Sequence, residues 1–116
     1  MINQYKTSML KTFLIFNLFR ELTDISILEK YIHLRYVDIT KNYIKDITPL
    51  SHMTHLLVLT ANQNLIKEVK LDELPYLQTA SLARNKIGSL AGLNHPMLEH
   101  LCLNCRSLLQ SNVHVT

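Results

Sequence analysis

LRYVDITKNYIKDI, residues 34–47, decides the fold, because its frame is met twice more further along the chain. The second copy is LLVLTANQNLIKEV, residues 56–69, and the third is LQTASLARNKIGSL, residues 77–90. Each carries an asparagine at the same place, so that Asn42, Asn64 and Asn85 recur at a nearly constant interval. Val37 and Ile39 alternate with Tyr36, Asp38 and Thr40, which is the period-2 signature of a short strand with one buried face. At the asparagine the chain must turn out of the strand, leaving backbone groups without ladder partners. A carboxamide both donates and accepts, so it can satisfy those groups and bond to the next copy's turn. Ile44, Ile47 and Leu50 then point back inward, and Pro49 opposes a long helix on the return side. One such coil cannot bury its own apolar face, so the copies must stack.

A repeat of this length with L-x-x-L-x-L-x-x-N is the leucine-rich-repeat pattern. The expected fold is therefore an α/β repeat, a short leucine-rich-repeat solenoid. Parallel strands line its concave face and an irregular or 3₁₀ segment forms its convex side. A fourth copy opens with Leu98, Leu101 and Leu103, but Arg106 replaces the asparagine and Leu108 follows. Leu22, Ile25 and Leu28 match the closing half of a repeat, since Ile25 and Leu28 lie one repeat length before Ile47 and Leu50. The expected division is an apolar N-terminal cap or leader over 1–21, repeats over 22–108, and a short polar tail over 109–116. The stretch MLKTFLIFNLF, residues 9–19, reads as a helical cap over the first coil, with a targeting sequence or an unstructured leader as alternatives. Arg20 and Glu21 follow it at once, no small-residue cleavage site is present, and it is too short to span a bilayer as a helix. Nothing after Leu103 resembles a cap. The last coil is therefore expected to be covered by a partner, to self-associate, or to belong to a truncated form of a longer array.

Composition narrows the function classes. At 116 residues the chain is one domain, and 47% hydrophobic content suffices for a core. A net charge of +3 is too mild to demand nucleic acid. Two cysteines are too few for a disulfide scaffold, which favours a reducing, cytoplasmic setting. Cys102 and Cys105 form a C-x-x-C with His95, His100 and His114 nearby, but there is no second pair to complete a tetrahedral zinc site. His33 and His55 occupy the same place in successive repeats, so the repeat explains them. Metal ligands, cofactors and a small-molecule substrate are not expected. No G-x-S-x-G, Gly-rich phosphate loop or H-E-x-x-H occurs, and a non-enzymatic role is expected.

A repeat of strands instead offers a face. Between the buried positions, outward residues should align in rows across neighbouring coils. One row is Tyr36, Val58, Thr79 and His100; the next is Asp38, Thr60, Ser81 and Cys102; the third is Thr40, Asn62, Ala83 and Asn104. Tyr36 and the adjacent Arg35 are of the types enriched at binding hot spots. The candidate interaction surface is thus Arg35, Tyr36, Asp38, Val58, Thr60, Thr79, Ser81 and His100. Lys41 and Lys45, Lys67 and Lys70, and Arg84 and Lys86 recur where strands turn into coils. Together they predict a basic edge, diluted by Asp46 and Glu68, that keeps the array soluble or meets an acidic partner or an anionic polymer, such as a tubulin surface or RNA. Without an aromatic platform the edge argues against single-stranded nucleic acid.

The segments LTDISILEKYIHLRYVDITKNYIKDITPLSHMTHLLVL (22–59), DELPYLQTASLARNKI (72–87) and HPMLEHLCL (95–103) resemble the leucine-rich repeat-containing protein 23 family. The resemblance covers about 80 of 116 residues. It includes positions outside the repeat frame: Tyr31, His33, Arg35, Tyr36, Tyr76, His95 and Pro96. The leader through Arg20, and Arg106, Cys102 and Cys105 in the fourth copy, depart from the family pattern. The resemblance implies a radial-spoke scaffold of motile cilia and sperm flagella, with radial-spoke head proteins as partners and a cytoskeletal, axonemal location. The alternatives are a truncated product without stable independent function and, more remotely, a thiol redox or metal-binding protein.

Overall fold

The computed structural model describes residues 14–15, 21–71, 74–93, 95–103 and 114–115. Its strands are β1 (Leu14–Ile15), β2 (Tyr36–Asp38), β3 (Val58–Thr60), β4 (Thr79–Ser81), β5 (His100–Cys102) and β6 (His114–Val115). They form one parallel sheet in chain order, β1-β2-β3-β4-β5-β6. Parallel neighbours in chain order need a crossover between them, and the described residues between β2 and β3 and most of those between β3 and β5 supply it.

The strands are short because only the alternating stretch of each repeat is suited to a ladder. β2, β3 and β4 each bury their central residue, Val37, Leu59 and Ala80, and leave the flanking ones at least partly open. The ladder continues past the strand ends, with Ile39 N–H on Thr60 O at 2.8 Å, Ala61 N–H on Ser81 O at 2.8 Å and Leu82 N–H on Cys102 O at 2.7 Å.

The return segments follow a spacing of three. Ile25, Leu28, Tyr31 and Leu34 are linked by successive i→i−3 hydrogen bonds, and Ile47, Leu50, Met53 and Leu56 repeat the chain of bonds one coil later. Three residues per turn is 3₁₀ geometry, which sets every third side chain on one face. Two 3₁₀ helices result, Ser26–Lys30 and Thr48–His52, the second with Pro49 in its first turn. Ile25, Leu28, Leu34, Leu50, Met53 and Leu56 are fully buried. They join Val37, Ile39, Ile44, Leu59, Ile66, Leu77, Leu82 and Leu101 in one continuous core. Burial of that apolar surface is the main driving force for stacking, at about 25 cal/mol per Å².

Short polar side chains set the entry to each return. Asp24 accepts the Ser26 N–H at 2.9 Å and Asp46 accepts the Thr48 N–H at 2.9 Å, each two residues on. Ser89 does the same for Ala91 at 3.2 Å. These are local turns of the Asx and Ser/Thr type. Gly92 sits where a Cβ would overlap the Val69 carbonyl oxygen, so only glycine lets these two coils approach.

Two expectations fall mostly outside the described residues. The helical cap expected over 1–21 falls largely outside the described residues; of those described there, Leu14 and Ile15 form a strand. They pair in parallel with Tyr36 and Val37. The polar tail over 109–116 likewise falls outside, apart from His114 and Val115. These pair in parallel with His100 and Leu101.

Candidate functional site

The asparagines sit on the inside of the turn after each strand. Asn42 and Asn64 are buried, both 4% exposed, and Asn85 is half-buried. The Asn64 carboxamide oxygen accepts the Ile44 N–H at 3.1 Å, and its amide donates to the carbonyls of Ile39 (3.1 Å), Ala61 (3.2 Å) and Asn62 (3.1 Å). Asn85 repeats this pattern, accepting the Ile66 N–H at 3.1 Å and donating to Ala61, Leu82 and Ala83. Asn42 accepts the Leu22 N–H at 2.9 Å and donates to Ile39 at 2.9 Å. The oxygen therefore reaches the preceding coil, whereas the sequence suggested the following one. The reason is placement: the N–H left free by the earlier turn, at Leu22, Ile44 or Ile66, faces forward along the stack.

The residue before each asparagine has a left-handed backbone. Lys41, Gln63 and Arg84 have φ of 63°, 56° and 56°. For side chains with a Cβ this conformation costs roughly 1–2 kcal/mol, and the asparagine bonds hold it in place. No glycine marks the position, so nothing in the sequence announces it.

One face of the sheet is open. Tyr36, Val58, Thr79 and His100 are in register across β2 to β5, and so are Asp38, Thr60, Ser81 and Cys102. Tyr36 and His100 are exposed, as is Arg35 beside them. Val58, Thr60, Thr79, Ser81, Asp38 and Cys102 are half-buried. Asp38 is partly committed, since its carboxylate accepts the Thr40 N–H at 3.0 Å.

The third expected row is different. Ala83 is buried, and Asn104 lies outside the described residues. Asn62 accounts for the change. Its carboxamide oxygen accepts the Ser81 hydroxyl at 2.8 Å and the Ala83 N–H at 2.8 Å, and its own N–H donates to the Thr40 hydroxyl at 3.3 Å. This side-chain network seals the strand ends between three coils. The sequence reading treated Asn62 as an outward side chain, and its place two residues before Asn64 was the only signal.

Lys41, Lys45, Lys67, Lys70, Arg84 and Lys86 are all exposed. Lys70 pairs with Glu68 at 2.9 Å, and this contact holds its ammonium pKa above the usual lysine value. The Thr48 backbone N–H, then its hydroxyl, hold the Asp46 carboxyl below the ordinary range. Tyr43 is also exposed.

Along the start of the strands, the rings of His33 and His55 lie 5.5 Å apart and are tilted by 52°. His95 is buried. Cys102 is a free thiol in β5, and Cys105 is outside the described residues. Among the described residues no three His, Cys, Asp or Glu side chains gather as a metal site, and no helix is long and apolar enough to cross a membrane.

No family model matches the chain. Among curated proteins it is similar to leucine-rich repeat-containing protein 23 of Homo sapiens, with 51% identity over 89 residues, 77% of this chain and 26% of that protein. The Bos taurus and Mus musculus proteins of the same name are 51% and 54% identical over 84 residues, 72% of this chain and 25% of each relative. The chain thus spans about a quarter of the length of the curated relatives it matches. A leucine-rich repeat of this kind presents a surface to protein partners. Identity at this level, over the stretch that builds the stacked coils, makes the chain a member of the leucine-rich repeat-containing protein 23 family.

Proposed function

We propose that the chain is a non-enzymatic protein–protein scaffold, a short solenoid that docks its partner on the open face of the sheet. The observation that carries this reading is the register of Tyr36, Val58, Thr79 and His100 across four coils whose other face is fully committed to the core. Tyr36 and Arg35 are the anchors: a rigid aromatic ring and a planar cation beside a row of small polar side chains. Thr60, Thr79 and Ser81 supply hydrogen-bonding groups at a low side-chain entropy cost. The resemblance extends the reading to a radial-spoke component of the ciliary and flagellar axoneme that supports motility. Its partners are then radial-spoke head proteins, and its location is cytoskeletal.

Affinity capture from ciliated or testicular tissue tests this. The chain is expected to recover radial-spoke head proteins, and a variant with Arg35→Ala and Tyr36→Ala to lose them while melting as the unsubstituted chain does. Equal recovery by both would move the interface off the sheet face. No recovery by either would remove the radial-spoke assignment.

A further inference from the structure

Where the strands turn into the returns, a shallow groove of about 300 Å³ runs between two successive coils. Lys45 and Lys67 stand on it at the same place in successive repeats, and Leu65 shares the lining. Asp46, Glu68 and Lys70 complete the charged lining.

The charges there are not equivalent. Lys70 is committed to Glu68, and Asp46 is committed to the Thr48 turn. Lys45 and Lys67 have no ion-pair partner among the described residues, and both are exposed. The repeat therefore holds two like charges side by side on neighbouring coils, where each raises the cost of the other. A carboxylate shared between them would relieve that repulsion with charge-assisted hydrogen bonds. Leu65 is half-buried and offers apolar surface next to the pair. Lys41, Arg84 and Lys86 extend the positive field along the same rim.

We propose that this groove binds an acidic peptide segment of a protein partner, one carboxylate bridging Lys45 and Lys67 and a neighbouring apolar side chain resting on Leu65. The mixed lining selects the class of occupant. A phosphodiester chain is negative at every unit and meets Asp46 and Glu68 as well as the lysines. A peptide can set a neutral or basic residue opposite those carboxylates. The groove lies on the rim, apart from Tyr36 and Arg35, so the inference goes beyond the sheet-face reading and does not depend on it.

The test is a fluorescence-anisotropy titration of the full chain with a short labelled peptide alternating Glu and Leu. Controls are the same peptide with Gln for Glu and an oligouridine of equal charge. The Glu peptide is expected to bind and the Gln peptide not to. Lys45→Glu with Lys67→Glu should weaken binding about tenfold or more, while Tyr36→Ala leaves it unchanged. A melting curve checks that the reversal variant folds; Lys45→Gln with Lys67→Gln replaces it if not. Equal affinity for the variant and the unsubstituted chain would overturn the proposal. Tighter oligouridine binding that falls with the same substitutions would overturn it too, and reassign the rim to nucleic acid.

Discussion

Asn64 makes four hydrogen bonds from a buried carboxamide, three of them to carbonyls and one to an N–H of the preceding coil. Asn64→Ala leaves those groups inside the turn without partners and should cost on the order of 1–3 kcal/mol by chemical denaturation. Asn85→Ala should cost less, because Asn85 is half-buried and water can reach its partners. An equal loss at both sites would mean that burial does not set the value of the ladder. Gln63 tests the strain on the same turn. Its φ of 56° suits Gly or Asn, so Gln63→Asn should be neutral or stabilising. Gln63→Val, with a branched Cβ in the same backbone, should lose roughly 1–2 kcal/mol. Asp46 adds a pH dependence of known sign. Its folded pKa lies below the unfolded value of 3.8, so the Thr48 contact stabilises the fold above that pH and is lost as pH falls through the folded value. Asp46→Asn keeps a turn-forming side chain but cannot titrate, and should flatten that part of the acid-unfolding curve. An unchanged curve would show that other carboxylates set it.

Strand and return behave as separate elements with different demands. The strands need one buried residue each, and Ala80 is buried at that place as Val37 and Leu59 are. The returns need contact at every third residue, and they need Gly92. Gly92→Ala drives a methyl into the Val69 carbonyl, so the two coils must separate, at a cost of about 1–3 kcal/mol by thermal or denaturant melting. Much of this was legible from sequence. The strand register, the buried leucines and the asparagine positions all follow from a fixed repeat, since a side chain's place in the frame sets its face. What the frame does not encode stayed hidden. The backward reach of the asparagine oxygen depends on which N–H the earlier turn leaves open. The left-handed backbone at Lys41, Gln63 and Arg84 carries no glycine to announce it. Ala83 is buried and its N–H is held by the Asn62 carboxamide, a tertiary contact that periodicity cannot express. The candidate surface was legible as a set of aligned positions, but not which of its polar groups were already engaged, such as Asp38 with Thr40 and Ser81 with Asn62.

Among the described residues the contacts between elements join successive coils, so stability is carried by interfaces between adjacent repeats. The asparagine ladder and the apolar core run through the same interfaces and tie the sheet to the returns. That arrangement gives the open sheet face a fixed register, which a partner can read across several coils at once. The exposed Ile27 lies on the opposite, 3₁₀ side and is no part of that face. Site-specific photo-crosslinking in ciliated cells separates the two sides most directly, with the photoreactive residue placed at Tyr36, Thr79 or Ile27. Scaffolding through the sheet face predicts radial-spoke adducts from Tyr36 and Thr79 and none from Ile27. Adducts from Ile27 alone would contradict it and put the partner on the return side.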